Sequence, residues 1–293
     1  MFRGSYVALI TPMTETGQVD YASLRQLVDY QLQNGTDGLV IMGTTGEAAT
    51  IPFAEQLEVL QAVIEQVAGR CQILAGNGSN STAEAVAKTE ALNAFAIDGF
   101  LTVTPYYNKP TQQGMVAHFK AVAAAANKPV LLYNVPGRTG VDLQAATVAE
   151  LSRVNNIVGI KEATGSMERL AQLKASCSAD FDLLSGDDAS AKDFILQGGH
   201  GVISVTTNVA PAGMTAMIAA ARKGDAEKAE AVDASLQALH RDLFIESNPI
   251  PTKWALKRMG LILSDFARLP LTRLEPIHHV VIEQALQQAK INL

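Results

Sequence analysis

The stretch NIVGIKEATG, residues 156–165, runs Ile157, Val158 and Ile160 into a lysine, Lys161, with Glu162 directly after it. A strand covered on both faces does not finish on a charge unless that charge reaches water or has chemistry to do. Burial disfavours an ammonium ion, and the free amine it leaves is a nucleophile toward a ketone or aldehyde. Schiff-base chemistry of that kind also needs a proton shuttle. Tyr133 closes the preceding apolar run, LLYN, and a phenol both donates and accepts protons. Taken singly, Lys161 reads as a salt-bridged strand-end lysine and Tyr133 as a core tyrosine with a satisfied hydroxyl. Their company favours the chemical reading.

That company includes GTTGEA, residues 43–48, where Thr44, Thr45 and their backbone N–H groups could hold a small carboxylate on a glycine-permitted bend. Arg138, beyond the Pro136-Gly137 turn, binds carboxylates bidentately and so points to a second anionic substrate. Other chemistries fare poorly. There is no GxxxxGK[ST], HExxH or GxSxG, and His118, His200, His240, His278 and His279 lack ligand spacing. Asp187 and Asp188 read as a solvated acidic loop with no histidine partner, so no metal site is expected. Cys71 and Cys177 form no CxxC pair and read as reduced thiols.

These residues must be placed by strands. Short β-rich runs at 6–11, 38–42, 72–76, 99–104, 130–134, 157–161, 181–185 and 201–205 alternate with helical stretches, among them 21–33, 53–68, 82–95 and 113–126. Asp20 and Ser81 stand where helix N-caps are wanted. Eight strand–helix units predict an α/β fold, a (β/α)8 TIM barrel, in which chemistry collects at the C-terminal strand ends. A doubly wound sheet is the runner-up, but no glycine-rich phosphate loop follows the first strand. Helical stretches at 214–223, 225–244, 251–260 and 276–289 exceed what barrel closure needs. The division predicted is a catalytic barrel over 1–224 and a small C-terminal helical appendage over 225–293.

The chain has 293 residues, 48% hydrophobic and 18% charged, with a net charge of −6. That allows a large buried core and argues against nucleic acid or an anionic membrane as a partner. With no long apolar run and no leader-like N-terminus, the expected location is the cytoplasm.

GTTGEA, TVTPYYNKPTQQG, LLYNVPGRTG, VGIKEATG, LLSGDDAS, GVISVTTNVAP and ESNPIPTKWAL, in that order, resemble the dihydrodipicolinate synthase branch of the Schiff-base aldolase family that includes N-acetylneuraminate lyase. The resemblance spans essentially the whole chain. YNVPGRT, with its arginine, is its most branch-specific part. It implies condensation of pyruvate with L-aspartate 4-semialdehyde to 4-hydroxy-tetrahydrodipicolinate, the first committed step of the diaminopimelate route to lysine, without metal or organic cofactor. Lys161 would form the Schiff base and Tyr133 would relay protons with Thr44 and Tyr107, the latter reaching into a neighbouring subunit. Thr45, Gly186 and Ile203 would line the pyruvate pocket, and Arg138 would take the semialdehyde carboxylate. A homotetramer, built as a dimer of tight dimers, is implied. Ala49, Asn80, Glu84 and Tyr106 match a cleft where lysine inhibits some members. Positions 53 and 56, often histidine in sensitive members, are Phe53 and Gln56, so poor feedback inhibition is expected. The nearest alternatives are N-acetylneuraminate lyase or a keto-deoxy sugar-acid aldolase; a silent binding barrel is the rival of another class, against which both Lys161 and Tyr133 stand.

Overall fold

The computed structural model describes residues 1–291. Eight parallel strands close into a barrel: β1 Gly4–Ala8, β2 Gly38–Ile41, β3 Gln72–Gly76, β4 Gly99–Val103, β5 Val130–Asn134, β6 Ile157–Glu162, β7 Asp182–Ser185 and β8 Gly201–Ser204, with β8 pairing back onto β1. The TIM-barrel expectation holds, and each of the eight strands overlaps its predicted run.

Alternation along each strand sorts side chains into two layers. Tyr6, Ala8, Leu131, Leu184 and Ile203 fill the barrel interior, while Val7, Leu132, Leu183 and Val202 pack outward against the helices. The helices form where their apolar stripes can meet this outer layer. Tyr21–Gln33 buries Leu24, Leu27 and Val28 and starts at Asp20, whose carboxylate accepts from the N–H groups of Ala22 and Ser23. Thr82–Leu92 starts at Ser81, whose hydroxyl accepts from Glu84 N at 3.4 Å.

The first strand begins and ends earlier than the apolar pattern indicates. Gly4 and Ser5 carry no apolar side chain, yet they pair with Gly201 and Val202 of β8. Leu9 N still donates to Val40 O at 3.1 Å, and beyond it the backbone leaves the sheet, where Ile10 N donates to the Asn208 side chain.

The helix Pro211–Arg222 packs against β1 and β8 and completes the ring. Three further α-helices follow among the described residues, Ala226–Asp242, Ile250–Arg258 and His279–Gln288. The first and last of them pack on each other, and Ala226–Asp242 packs on Pro211–Arg222. The final two positions of the span 225–293 lie outside the described residues. No helix among the described residues is long and apolar enough to cross a membrane.

One irregularity sets up the site. Val130 pairs with Ile157, but the next residue of β5, Leu131, pairs with Gly159, leaving Val158 as an extra residue in β6. A bulge of this kind reverses the inside–outside phase of everything after it. Ile157 and Ile160, three apart, therefore both face the outer layer, and Lys161 turns inward. The bulge needs a glycine: a Cβ on Gly159 would meet Asp182 O at 2.4 Å and Leu131 Cδ2 at 2.7 Å.

Candidate active site

Lys161 sits directly opposite Tyr133 in the β5–β6 ladder. Both are buried, Lys161 at 6% exposure, and the lysine Nζ lies 4.3 Å from the centroid of the Tyr133 ring. Among the described residues Lys161 makes no ion pair, whereas the chain's other buried lysine, Lys253, is paired with Glu47. An unpaired ammonium out of water is costly, and a carboxylate is the usual remedy. Lys161 has the face of the Tyr133 ring instead. Room for its stem comes from the start of the loop after β7, where a Cβ on Gly186 would meet Lys161 Cε at 2.9 Å and Cγ at 3.1 Å. Ile203, on β8, packs in the same interior cluster as Tyr133 and Leu184.

Glu162 points the other way, behind β6. It accepts from Asn134 Nδ2 at 3.1 Å and from Thr164 N at 2.9 Å, and lies 3.5 Å from Arg169 Nη1. Burial pushes its carboxyl above the ordinary glutamate value, with those hydrogen bonds opposing the shift. Arg169 in turn grips Asp142 through two nitrogens, at 3.1 and 2.6 Å. This network pins the ends of β5 and β6 from the helix side, so Lys161 and Tyr133 stand on a rigid pair of strands.

Thr44 and Thr45 follow β2 in a turn flanked by Met42 and Glu47, both with positive φ. Thr45 is buried; Thr44 is half-buried. Glu47 anchors this turn through Lys253 and by accepting from Arg268 N at 3.1 Å. Arg138 lies on the short helix Pro136–Thr139 after β5 and donates to Asn248 O at 3.3 Å.

A cavity of about 280 Å³ opens at this end of the barrel, and its lining includes Thr44, Tyr133, Arg138, Ala49, Tyr106 and Lys88. Two of the four catalytic candidates, Thr44 and Tyr133, thus share one space with Arg138 and with two of the four cleft candidates. Lys161, Thr45, Gly186 and Ile203 do not form its wall; Tyr133 is common to the cavity and to the lysine pair. Asn80 and Glu84 stand off the lining: Asn80 O accepts from Asn108 Nδ2 at 2.8 Å, and Glu84 is paired with Lys88 at 3.0 Å.

Tyr107 is not part of this chain's own site. Its backbone has a φ of 74°, its N–H donates to Thr139 O at 3.1 Å, and its side chain is 87% exposed.

The solvated acidic loop expected at Asp187 and Asp188 needs correction. Asp188 is buried, and its Oδ2 accepts from Val205 N at 3.0 Å and Thr206 N at 2.8 Å. These N–H groups follow β8, where no ladder partner remains for them, so the carboxylate takes that place. Asp187 accepts from Ser190 N and Oγ.

Comparison with known proteins decides the family. The model of the dihydrodipicolinate synthetase family matches residues 1–289. The chain belongs to the dihydrodipicolinate synthetase family. It is 53% identical over 293 residues to a 4-hydroxy-tetrahydrodipicolinate synthase of Thioalkalivibrio sulfidiphilus, covering 100% of this chain and 99% of the relative. It superimposes with a TM-score of 0.98, at 45% identity and full coverage of both chains, on the chloride-inhibited dihydrodipicolinate synthase of Acinetobacter baumannii solved with pyruvate. A dihydrodipicolinate synthase variant described as monomeric gives a TM-score of 0.96 at 37% identity, covering 99% of this chain and 98% of that one.

In this dihydrodipicolinate synthetase family member, Asn248, Lys253 and Lys88 support the site although the sequence reading did not single them out. Asn248 donates from Nδ2 to Thr45 Oγ1 at 2.9 Å, Lys253 holds Glu47, and Lys88 lines the cavity. Asn248 and Lys253 lie in ESNPIPTKWAL, a segment noted above only for its family resemblance. Lys88 carried one usable sign, its i,i+4 spacing from Glu84 on a helix.

Proposed function

We propose that this chain condenses pyruvate with L-aspartate 4-semialdehyde to give 4-hydroxy-tetrahydrodipicolinate, with Lys161 as the Schiff-base amine. The observation that carries the residue assignment is a buried lysine with no carboxylate partner among the described residues, set over a tyrosine ring on the neighbouring strand. The family and its curated relatives carry the choice of substrates.

The steps follow from the groups. The Lys161 amine adds to the keto carbon of pyruvate, and loss of water leaves an imine. The iminium draws electrons from the methyl group, which gives up a proton and becomes an enamine carbon. That carbon attacks the aldehyde of the semialdehyde, whose oxygen takes a proton and becomes the 4-hydroxyl. The amine of the second substrate then adds to the imine carbon and displaces Lys161, which leaves as the free amine and closes the ring. Each step moves a proton, and Tyr133 is the buried group beside the reacting nitrogen that can accept and return one. Thr44, on the cavity wall with Tyr133, extends that relay toward solvent. Thr45 meets the pyruvate carboxylate, and Arg138, on the cavity lining, takes the carboxylate of the semialdehyde.

Tyr107 joins the relay from a second copy. An aromatic side chain left this exposed, on a loop anchored by Thr139, gains a function when it inserts into a neighbour's cavity. The assembly is a homotetramer of two tight dimers, working in the cytoplasm.

A coupled assay with pyruvate and aspartate semialdehyde, run beside sialic-acid cleavage, tests this reading. Turnover of the first pair alone is expected. Turnover of sialic acid, or of a sugar-acid aldehyde in place of the semialdehyde, would overturn it.

A further inference from the structure

Asn248 touches both groups that the proposed reading aims at a carboxylate. Its side-chain Nδ2 donates to Thr45 Oγ1 at 2.9 Å, and its backbone oxygen accepts from Arg138 Nη2 at 3.3 Å. It is 5% exposed, and its Oδ1 is buried without a partner among the described residues. The residue comes from the segment leading into the helix Ile250–Arg258, whose Lys253 clamps Glu47, two residues past Thr45. The C-terminal region therefore backs the carboxylate-binding turn directly.

We propose that Asn248 is a positioning residue that sets the hydrogen-bond polarity of Thr45. A hydroxyl has one proton and two lone pairs. With a lone pair of Oγ1 filled by the Asn248 amide, the threonine proton is free to be donated, and the acceptor offered to it is the keto acid's carboxylate. A threonine without that partner divides its proton between ligand and nearby carbonyls. The inference rests on the reading that Thr45 meets the pyruvate carboxylate. It also separates the two halves of Asn248: the side chain serves pyruvate, and the backbone carbonyl serves Arg138.

That separation makes the test selective. Asn248→Leu keeps the volume and removes the donor. Asn248→Ser keeps polarity but is too short to reach Thr45, and serves if the leucine variant folds poorly. In either variant the KM for pyruvate should rise roughly tenfold, the size expected for losing a hydrogen bond to a charged group. The KM for the semialdehyde should hold, because Arg138 is held by a backbone atom, and kcat should change little. In a Thr45→Val background, Asn248→Leu should add no further change. An unchanged or lowered pyruvate KM in a folded variant overturns the proposal, because it means Thr45 had been spending its proton on Asn248. A parallel rise of both KM values in both backgrounds also overturns it, as simple structural damage. Borohydride trapping of pyruvate on Lys161, run at saturating pyruvate in each variant, separates the two readings. If the unsubstituted protein forms no adduct, the site reading fails and takes this inference with it; if every variant forms the adduct while KM stays put, only this inference fails.

Discussion

Lys161 Nζ lies over the Tyr133 ring, 4.3 Å from its centroid, and the two residues are directly paired across β5 and β6. The pairing fixes their separation through the barrel's own hydrogen-bond ladder, without any flexible loop between them. The proposed proton relay, built this way, keeps its geometry through each turnover.

Tyr133→Phe keeps the ring beneath the amine and removes the hydroxyl. Turnover should fall by roughly 10²–10⁴, the usual range for a lost general acid–base. Steady-state kcat measures it, and thermal melting should be almost unmoved because the packing survives. Unchanged turnover would assign the proton transfers elsewhere.

Gly186→Ala puts a methyl 2.9 Å from Lys161 Cε and 2.7 Å from Ala163 Cβ. One of them must move, and the long lysine stem is the softer. Turnover should drop at least about tenfold, since small misplacement of a nucleophile is expensive in rate. Pyruvate-dependent labelling of Lys161 should slow with it. A fully active Gly186→Ala enzyme would show that the stem has slack.

The barrel was legible because each strand is a short β-rich run and the spacing left room for one helix apiece. The candidate site was legible because Lys161 and Tyr133 stand at the ends of such runs and Thr44 and Arg138 follow them closely. The direction in which Lys161 faces was not. An apolar run buried on both faces has no alternation to read, and a bulge at Val158 leaves no mark beyond a glycine two residues before the lysine. Asp188 looked solvated because two adjacent acids usually are; its partners are backbone N–H groups, to which sequence is blind. Asn248 was invisible as a site residue for another reason. It lies 203 positions from Thr45, and nothing local announces a contact of that span.

Free lysine should inhibit this enzyme poorly. In the cleft region Gln56 spends its amide on Ala48 O at 2.9 Å and Ile51 O at 2.8 Å. Glu84 already holds an ammonium, that of Lys88, which also sits 5.8 Å from the Phe53 ring centroid. An incoming amino acid must displace that tethered cation or accept like-charge repulsion. A lysine titration of initial rates should show little inhibition even at millimolar levels, and Lys88→Ala should increase sensitivity. Strong inhibition at low micromolar lysine would contradict this account.

His118 makes stability depend on pH. It is buried, its Nδ1 shares a hydrogen with Thr82 Oγ1 at 3.0 Å, and its Nε2 has no partner among the described residues. Burial holds its folded value below the ordinary 6.5. Between those two values the unfolded chain binds the extra proton, so stability rises with pH across that window and falls as the solution is acidified through it. Urea unfolding from pH 7 downward should show a slope that His118→Gln reduces. An unchanged slope in that variant would place the effect on other groups.

The central claim is tested most directly by incubating the protein with pyruvate, reducing with borohydride and mapping the product by peptide mass spectrometry. The account predicts one reduced pyruvate adduct per chain, on the peptide containing Lys161, absent in Lys161→Ala. An adduct on Lys253 or any other lysine, or trapping that persists in Lys161→Ala, would contradict it.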